Sequence, residues 1–204
     1  MTKILALLKK HYPEACSTLK HKSPFTLLIS TILSAQTTDK AVNLVTPVLF
    51  ERFPDAEAFA KARLQSIEKI IRRIGLYRSK AKSIKNCCKM IVEEFDGEVP
   101  RTMEELTRLP GVGRKTANCV LGNAFGINVG ITVDTHVGRL SRRLGLTEAK
   151  DPVGVEHDLM KIVPNRDWTI ISHLLIAHGR AVCPSRNPKC DHCFLSKLCP
   201  KIGV

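Results

Sequence analysis

Residues 109–136 read LPGVGRKTANCVLGNAFGINVGITVDTH, and this stretch decides the fold. Pro110-Gly111-Val112-Gly113 lies between two helical patterns. Thr102 and Glu105 form a T-x-x-E capping box that opens the first, a short helix running to Leu109. Gly111 suits the left-handed residue that ends it. Gly113 lets the backbone approach something closely, and a new helix is expected near Arg114. Helix, tight glycine turn and helix present unpaired N–H groups at a helix start, where the positive dipole end favours phosphate. A plain corner between two helices is the alternative reading of the same residues.

The second helix raises a question of charge. Ala117, Val120, Leu121, Ala124 and Phe125 form its buried stripe, while Lys115, Asn118, Cys119 and Gly122 share another face. Lys115 therefore points away from the core, on the first turn, where the helix dipole opposes an ammonium. A free lysine, with a pKa near 10.4, is almost wholly protonated at neutral pH. The helix start and partial burial both favour the neutral amine, the form that attacks carbon. Lowering the pKa by roughly 3 units takes about 4 kcal/mol, and the dipole supplies about 0.3–1 kcal/mol. A nucleophilic Lys115 therefore needs a desolvated pocket, whereas a solubilising surface lysine does not. Asp134, nineteen residues later, is equally double-edged. It is placed to N-cap a helix from Thr135 to Leu144. As a catalytic carboxylate it would accept a proton or stabilise positive charge on a sugar ring, since a nearby carboxylate raises a lysine pKa.

Working outward, the pattern is helical nearly throughout, with no convincing period-2 strand. Ser23-Pro24 caps and opens FTLLISTILSAQ, and another helix is expected near Thr37 or Thr38. Ser66 is expected to open IEKIIRRIG, with Gly75 ending it. Ala81, Ile84, Cys88, Ile91 and Phe95 mark a further helix closed by Gly97. Asp151-Pro152 and Asp167 precede two more. The predicted class is all-α with about ten helices.

The totals of the whole chain bound its class. Its 44% hydrophobic residues exclude general disorder. No run of about 18 apolar residues is present, so no membrane partner or span is expected. MTKILALLKKHYPEA is too short and too quickly charged for a signal peptide, so a cytoplasmic protein is expected. The net charge of +13 suggests a polyanionic partner, with nucleic acid the commonest; a basic surface for solubility is the blander alternative.

Eight cysteines in such a chain are expected to be reduced. Cys183, Cys190, Cys193 and Cys199 follow C-x6-C-x2-C-x5-C in a proline-bearing tail. Four thiolates so placed read as a metal site, and spacing alone leaves both structural zinc and an iron–sulfur cluster open. Cys87, Cys88 and Cys119 read as packing residues.

LPGVGRKTANCVLGNAFG followed by VDTHVGRLSRRLGL resembles the helix-hairpin-helix DNA glycosylases, specifically the endonuclease III family. SPFTLLISTILSAQTTD, IGLYRSKA and HLLIAHGRAVCPSRNPKCDHC fit the same family, so the resemblance runs from about Ser23 to the last cysteine. It implies a base-excision repair enzyme that removes oxidised pyrimidines as a glycosylase and cleaves 3′ to abasic sites by β-elimination. Lys115 would be the Schiff-base nucleophile and Asp134 the catalytic aspartate. Gln36 would enter the space vacated by a flipped nucleotide, Leu76 would wedge the opposite strand, and Gly111 and Gly113 would grip phosphate. Ser34, Asp39 and His136 match pocket-side positions, although capping or hydrogen bonding suits them as well. Arg139, Arg142 and Arg143 share one helix face, and Arg139 and Arg143 are expected to face DNA or plain solvent. The four cysteines would hold a [4Fe–4S] cluster that folds the tail and displays Lys189, Lys197 and Arg186.

The implied fold has two lobes. Residues 22–132 would form a six-helix barrel with the hairpin at about 102–125, and 1–21 would rejoin 133–204 in an iron–sulfur lobe. The expected partner is double-stranded DNA bearing oxidised bases or abasic sites, met by a monomer at the nucleoid. Two other readings stand beside it: a DNA-binding module without catalysis, and a zinc-dependent hydrolase.

Overall fold

The computed structural model of the chain describes residues 1–204 and contains helices, with no strand. In chain order they are α1 (Thr2–His11), α2 (Pro24–Ser34), α3 (Asp39–Arg52), α4 (Ala56–Lys61), α5 (Leu64–Ile71), α6 (Tyr77–Glu94), α7 (Met103–Arg108), α8 (Arg114–Phe125), α9 (Thr135–Arg143), α10 (Pro152–Ile162) and α11 (Trp168–Ala181). Short 3₁₀ turns lie at Asn165–Asp167 and Cys190–His192. No helix is long and apolar enough to cross a membrane.

The chain divides into two compact units. One comprises Met1–Ser17 and Asn128–Val204, the other Thr18–Ile127. The sequence reading had drawn the boundaries at 21/22 and 132/133.

The Thr18–Ile127 unit is built around α2. Ser23 and Thr26 cap it reciprocally: the Thr26 N–H donates to Ser23 Oγ at 3.2 Å, and the Ser23 N–H to Thr26 Oγ1 at 3.0 Å. Leu27, Leu28, Ile29, Ile32 and Leu33 are all buried, so α2 is apolar on most of its circumference. A helix of that kind belongs in a core, and α2 packs on α3, α6 and α8. Each such side chain contributes about 1.5–3 kcal/mol on burial. Beside it, α6 buries Ala81, Ile84, Cys87, Cys88 and Ile91 while packing on α4 and α5. Burial pushes the Cys87 thiol up to about 12, which suits an inert packing residue.

Two local details depart from the sequence reading. Helix α4 was not foreseen. Asp55 caps it, accepting the Ala58 N–H at 2.8 Å, and Phe59 is buried beside Phe25 and Phe53, with ring centroids 5.8 and 5.1 Å apart. A helix of six residues is too short to display a period. The next helix, α5, starts at Leu64 rather than after Ser66 and ends at Ile71. Gly75 does not end it in a left-handed turn; Leu76 takes that conformation instead, at φ 59°.

In the other unit, α1 joins helices far from it in sequence. Ile4, Leu5 and Leu8 enter the same core as Leu140, Leu174 and Leu175. Lys9 Nζ also donates to Asp167 Oδ1 at 2.5 Å. The His11 and Phe194 rings stack with centroids 3.7 Å apart.

The α7–α8 hairpin is held from beneath. Leu109 and Val112 are buried, and the Val112 N–H donates to the Leu109 carbonyl at 3.0 Å. Gly111 sits at φ 84°, and a Cβ there would lie 2.9 Å from Ser83 Cβ. A Cβ on Gly113 would meet nothing within 4 Å. Gly111→Ala is therefore expected to cost about 1–3 kcal/mol of stability in urea unfolding. Gly113→Ala should cost about 0.5 kcal/mol or less. Equal losses in the two variants would contradict this account of the turn.

Candidate functional site

In the Thr18–Ile127 unit the hairpin leads directly into α8. Gly113 is its N-cap residue and supplies no side chain to the first-turn amides. Those amides and the exposed glycines leave a helix start able to receive an anion. Lys115 stands on this first turn and is exposed. The desolvated pocket that the sequence argument required around it is therefore not formed by the chain's own side chains.

One turn further on, Cys119 lies between α8 and α2. Its Sγ is 3.9 Å from Thr31 Oγ1 and 3.7 Å from Asn123 Nδ2. Burial pushes the Cys119 thiol upward, while the Thr31 hydrogen bond, the charge of Lys115 and Asn123 oppose the rise. The face shared by Lys115, Asn118 and Cys119 is thus only open at its lysine end. Cys119 turns towards Thr31 of α2, which packs along α8, and Asn118 is buried.

The same unit brings Gln36 and Leu76 together. Both are exposed, and both have left-handed backbones, at φ 53° and 59°. Gly75 lies against the Gln36 turn: a Cβ there would be 3.8 Å from the Gln36 carbonyl oxygen and from Thr37 Oγ1. Ser34 and Asp39 have local partners. Ser34 Oγ donates to the Thr31 carbonyl at 2.8 Å, and the Thr18 hydroxyl donates to Asp39 Oδ2. Lys80, which the sequence reading did not single out, is buried below these turns. Its signal in sequence is weak, since a lysine in a polar-looking helix normally reads as solvated.

In the other unit Asp134 caps α9, accepting the Val137 N–H on Oδ1 at 2.8 Å. The carboxylate is half-buried and acts on two histidines. Burial lowers the pKa of His136, Asp134 opposes that, and Arg139 and Arg180 add to it. Burial also lowers His173, again with Asp134 opposing. The sequence reading missed His173, which is one polar residue within the apolar run of α11.

Arg139 and Arg143 both bond within the chain, and Arg143 is not on the exposed face the sequence suggests. Arg143 is buried, and its Nη1 donates to Cys183 Sγ at 3.2 Å and to the Pro184 carbonyl at 2.7 Å. Its Nη2 donates to the Ser185 carbonyl at 2.9 Å. Arg139 is half-buried, with Nη2 donating to the Cys183 carbonyl at 3.0 Å. Arg143 is thus withdrawn from solvent, and both guanidiniums clasp the start of the cysteine loop. Their shared helix face was legible, but what covers that face was not.

Cys183, Cys190, Cys193 and Cys199 line a single small cavity that opens to solvent. Leu140, Leu144 and Leu195 form its apolar wall. No three His, Cys, Asp or Glu side chains converge tightly enough to hold one metal ion. Two sulfurs receive N–H donors: Cys183 from Arg143, and Cys199 from the Lys201 amide at 3.4 Å. His178 stands at the wall with Nε2 3.5 Å from Cys193 Sγ and Nδ1 3.0 Å from the Tyr12 hydroxyl.

These geometries have close counterparts. A family model described as HhH-GPD superfamily base excision DNA repair protein matches residues 29–165. This places the chain in the class of helix-hairpin-helix base excision repair proteins. Endonuclease III of Synechocystis sp. is 58% identical over 98% of this chain and 91% of its own length. Endonuclease III of Bacillus subtilis is 48% identical over 92% of this chain and 86% of its own. A solved structure of a trapped endonuclease III–DNA covalent intermediate matches with a TM-score of 0.92 and 45% identity, covering 98% of this chain and 94% of that one. The chain belongs to the endonuclease III family.

Replacing Arg143 by methionine removes three charge-assisted hydrogen bonds from the cysteine loop while keeping most of the packing. The expected loss is about 2–3 kcal/mol in thermal or urea unfolding, with faster proteolysis between residues 183 and 190. Arg186→Met, on an exposed residue of the same loop, should change neither.

Proposed function

We propose that Lys115 and Asp134 are the reacting residues of this base excision repair enzyme, a DNA glycosylase and abasic-site lyase. The observation that carries the assignment is an exposed primary amine on the first turn of α8, immediately after a hairpin suited to phosphate. The likeness to a covalently trapped endonuclease III–DNA complex supports a covalent route. The substrate is double-stranded DNA containing an oxidised, ring-saturated pyrimidine or an abasic site.

A base within the stack shields its glycosidic carbon, so the nucleotide must first leave the duplex. Phosphates seated on the Gly111–Gly113 turn and the α8 amides would fix the strand. Gln36 would occupy the vacated space and Leu76 would wedge the opposite strand. Ser34, Asp39 and His136 would border the extruded nucleotide. That nucleotide would also supply the cover over Lys115 that the free chain lacks, excluding water and favouring the neutral amine.

The neutral Nζ of Lys115 attacks C1′. The bond from C1′ to the base breaks, and the base leaves with the electron pair and a proton. Ring opening leaves an iminium between Nζ and C1′. A proton is then lost from C2′, the C3′–O bond breaks and the strand is cut 3′ to the site. Water hydrolyses the remaining imine and returns the amine. The Asp134 carboxylate, held by its helix-cap bond, stabilises the positive charge on the sugar or accepts the proton released by the amine.

The residues of the C-terminal cavity fit a [4Fe–4S] cluster. Four reduced thiols share one apolar-walled cavity, and two sulfurs receive N–H donors. Cys183, Cys190, Cys193 and Cys199 would be the ligands. When bound, the cluster would fold a tail with few apolar side chains of its own, a structural contribution. Lys189, Lys197 and Arg186, all exposed, would then face phosphate.

Lys115→Gln is expected to abolish borohydride trapping on damaged duplex and to slow strand scission on the order of 10³-fold or more. Undiminished scission in a folded, DNA-binding variant would reject Lys115 as nucleophile. Purified protein should be brown, and Cys193→Ser should lose the visible absorption together with thermal stability. A colourless parent protein carrying stoichiometric zinc would reject the iron–sulfur assignment.

A further inference from the structure

Lys80 is 5% exposed, and its partners are a main-chain carbonyl and a hydroxyl, not a carboxylate. Burying an ammonium without a counter-ion is costly, and methionine would fill the same space without that cost. What methionine could not do is bond as Lys80 does. Nζ donates to the Leu33 carbonyl at 2.8 Å and to Thr37 Oγ1 at 2.8 Å. Leu33 lies in the last turn of α2, where carbonyls lack helical partners and the dipole end is negative. An ammonium there is matched to its surroundings.

These two bonds bracket Gln36. Thr37 is tied back further, its N–H donating to the Ser34 carbonyl at 3.0 Å and its hydroxyl to the Ala35 carbonyl at 3.4 Å. The main chain of Lys80 meets the other turn: its N–H donates to the Leu76 carbonyl at 3.0 Å, closing the first turn of α6. One residue thus grips both turns, through its ammonium on one side and its amide on the other. Gln36 and Leu76 are left-handed without being glycine. Such conformations persist only where the surroundings enforce them. The Lys80 side chain ties the frame of the Gln36 turn to α6, one helical turn beyond Leu76.

We propose that Lys80 is a positioning residue that holds the Gln36 and Leu76 turns in a fixed pair, so that the two side chains enter a duplex together. This inference rests on the reading of Gln36 and Leu76 as duplex-entering residues. It concerns opening of the helix, not the chemistry at Lys115. Its signature is therefore a difference between substrates. Cleavage of an abasic site in a duplex needs the paired turns, whereas cleavage of the same site in a single-stranded oligonucleotide does not.

The test compares duplex and single-strand cleavage rates for the full-length protein and for Lys80→Met, Thr37→Val, the double variant, Gln36→Ala and Leu76→Ala, each with its melting temperature. Lys80→Met should lower the duplex-to-single-strand ratio about tenfold and Thr37→Val about threefold. The double variant should fall no further than Lys80→Met, because both remove the same link. A general loss of folding would depress both substrates alike and leave the ratio unchanged, and Thr37→Val keeps the side-chain shape should Lys80→Met fold poorly. Unchanged ratios in Lys80→Met and Thr37→Val, with lowered ratios in Gln36→Ala and Leu76→Ala, overturn this inference alone. Unchanged ratios in Gln36→Ala and Leu76→Ala overturn the underlying reading and the inference with it.

Discussion

The turn between α7 and α8 depends on a single steric constraint. Gly111 must adopt a left-handed conformation while its α-carbon lies close to Ser83 of α6. Only a residue without Cβ satisfies both demands. From that turn follow the start of α8 at Arg114, the exposure of its first amides and the position of Lys115 one residue later. Val112 supplies the opposing anchor by burying its side chain in the core of the same unit. The hairpin is thus nailed from below and open above, as a surface for a charged backbone ought to be.

Elsewhere in that unit the backbone accepts left-handed geometry without glycine. Leu76 is the clearer case, because Gly75 is next to it and does not take the strain. Gly75 lies beside the Gln36 turn, where a Cβ would make only ordinary van der Waals contact. The consequence is that a large apolar side chain, 60% exposed, projects from a helix start. An exposed leucine at an enforced backbone angle has no packing explanation within the unit. Entry into a nucleic acid stack would give it one.

In the second compact unit, charge performs structural duties that the sequence pattern disguises. Lys9 binds the nearly buried Asp167 and so secures α1 to residues more than 150 positions away. Arg143 satisfies two loop carbonyls and a sulfur with one buried guanidinium. Arginine suits that task because its planar fork presents several donors at once. A basic net charge therefore overstates the number of cations available to DNA, since some are consumed in holding the fold.

By itself the sequence determined the helical class, the capped starts at Ser23, Thr102, Asp134 and Asp151, a start near Thr37 or Thr38, the hairpin, the first-turn position of Lys115 and the crowding of four cysteines. These are local features, set by periodicity, capping chemistry and spacing along the chain. It did not reveal α4, which is too short for a period, nor the left-handed Leu76, which no local rule favours. The tertiary structure alone decided which polar groups are buried: Lys80 under two turns and Arg143 against the cysteine loop. Burial depends on what packs over a residue from a distant part of the chain. The same lysine or arginine is solvated on one helix face and a structural link on another, and no short stretch of sequence contains that difference.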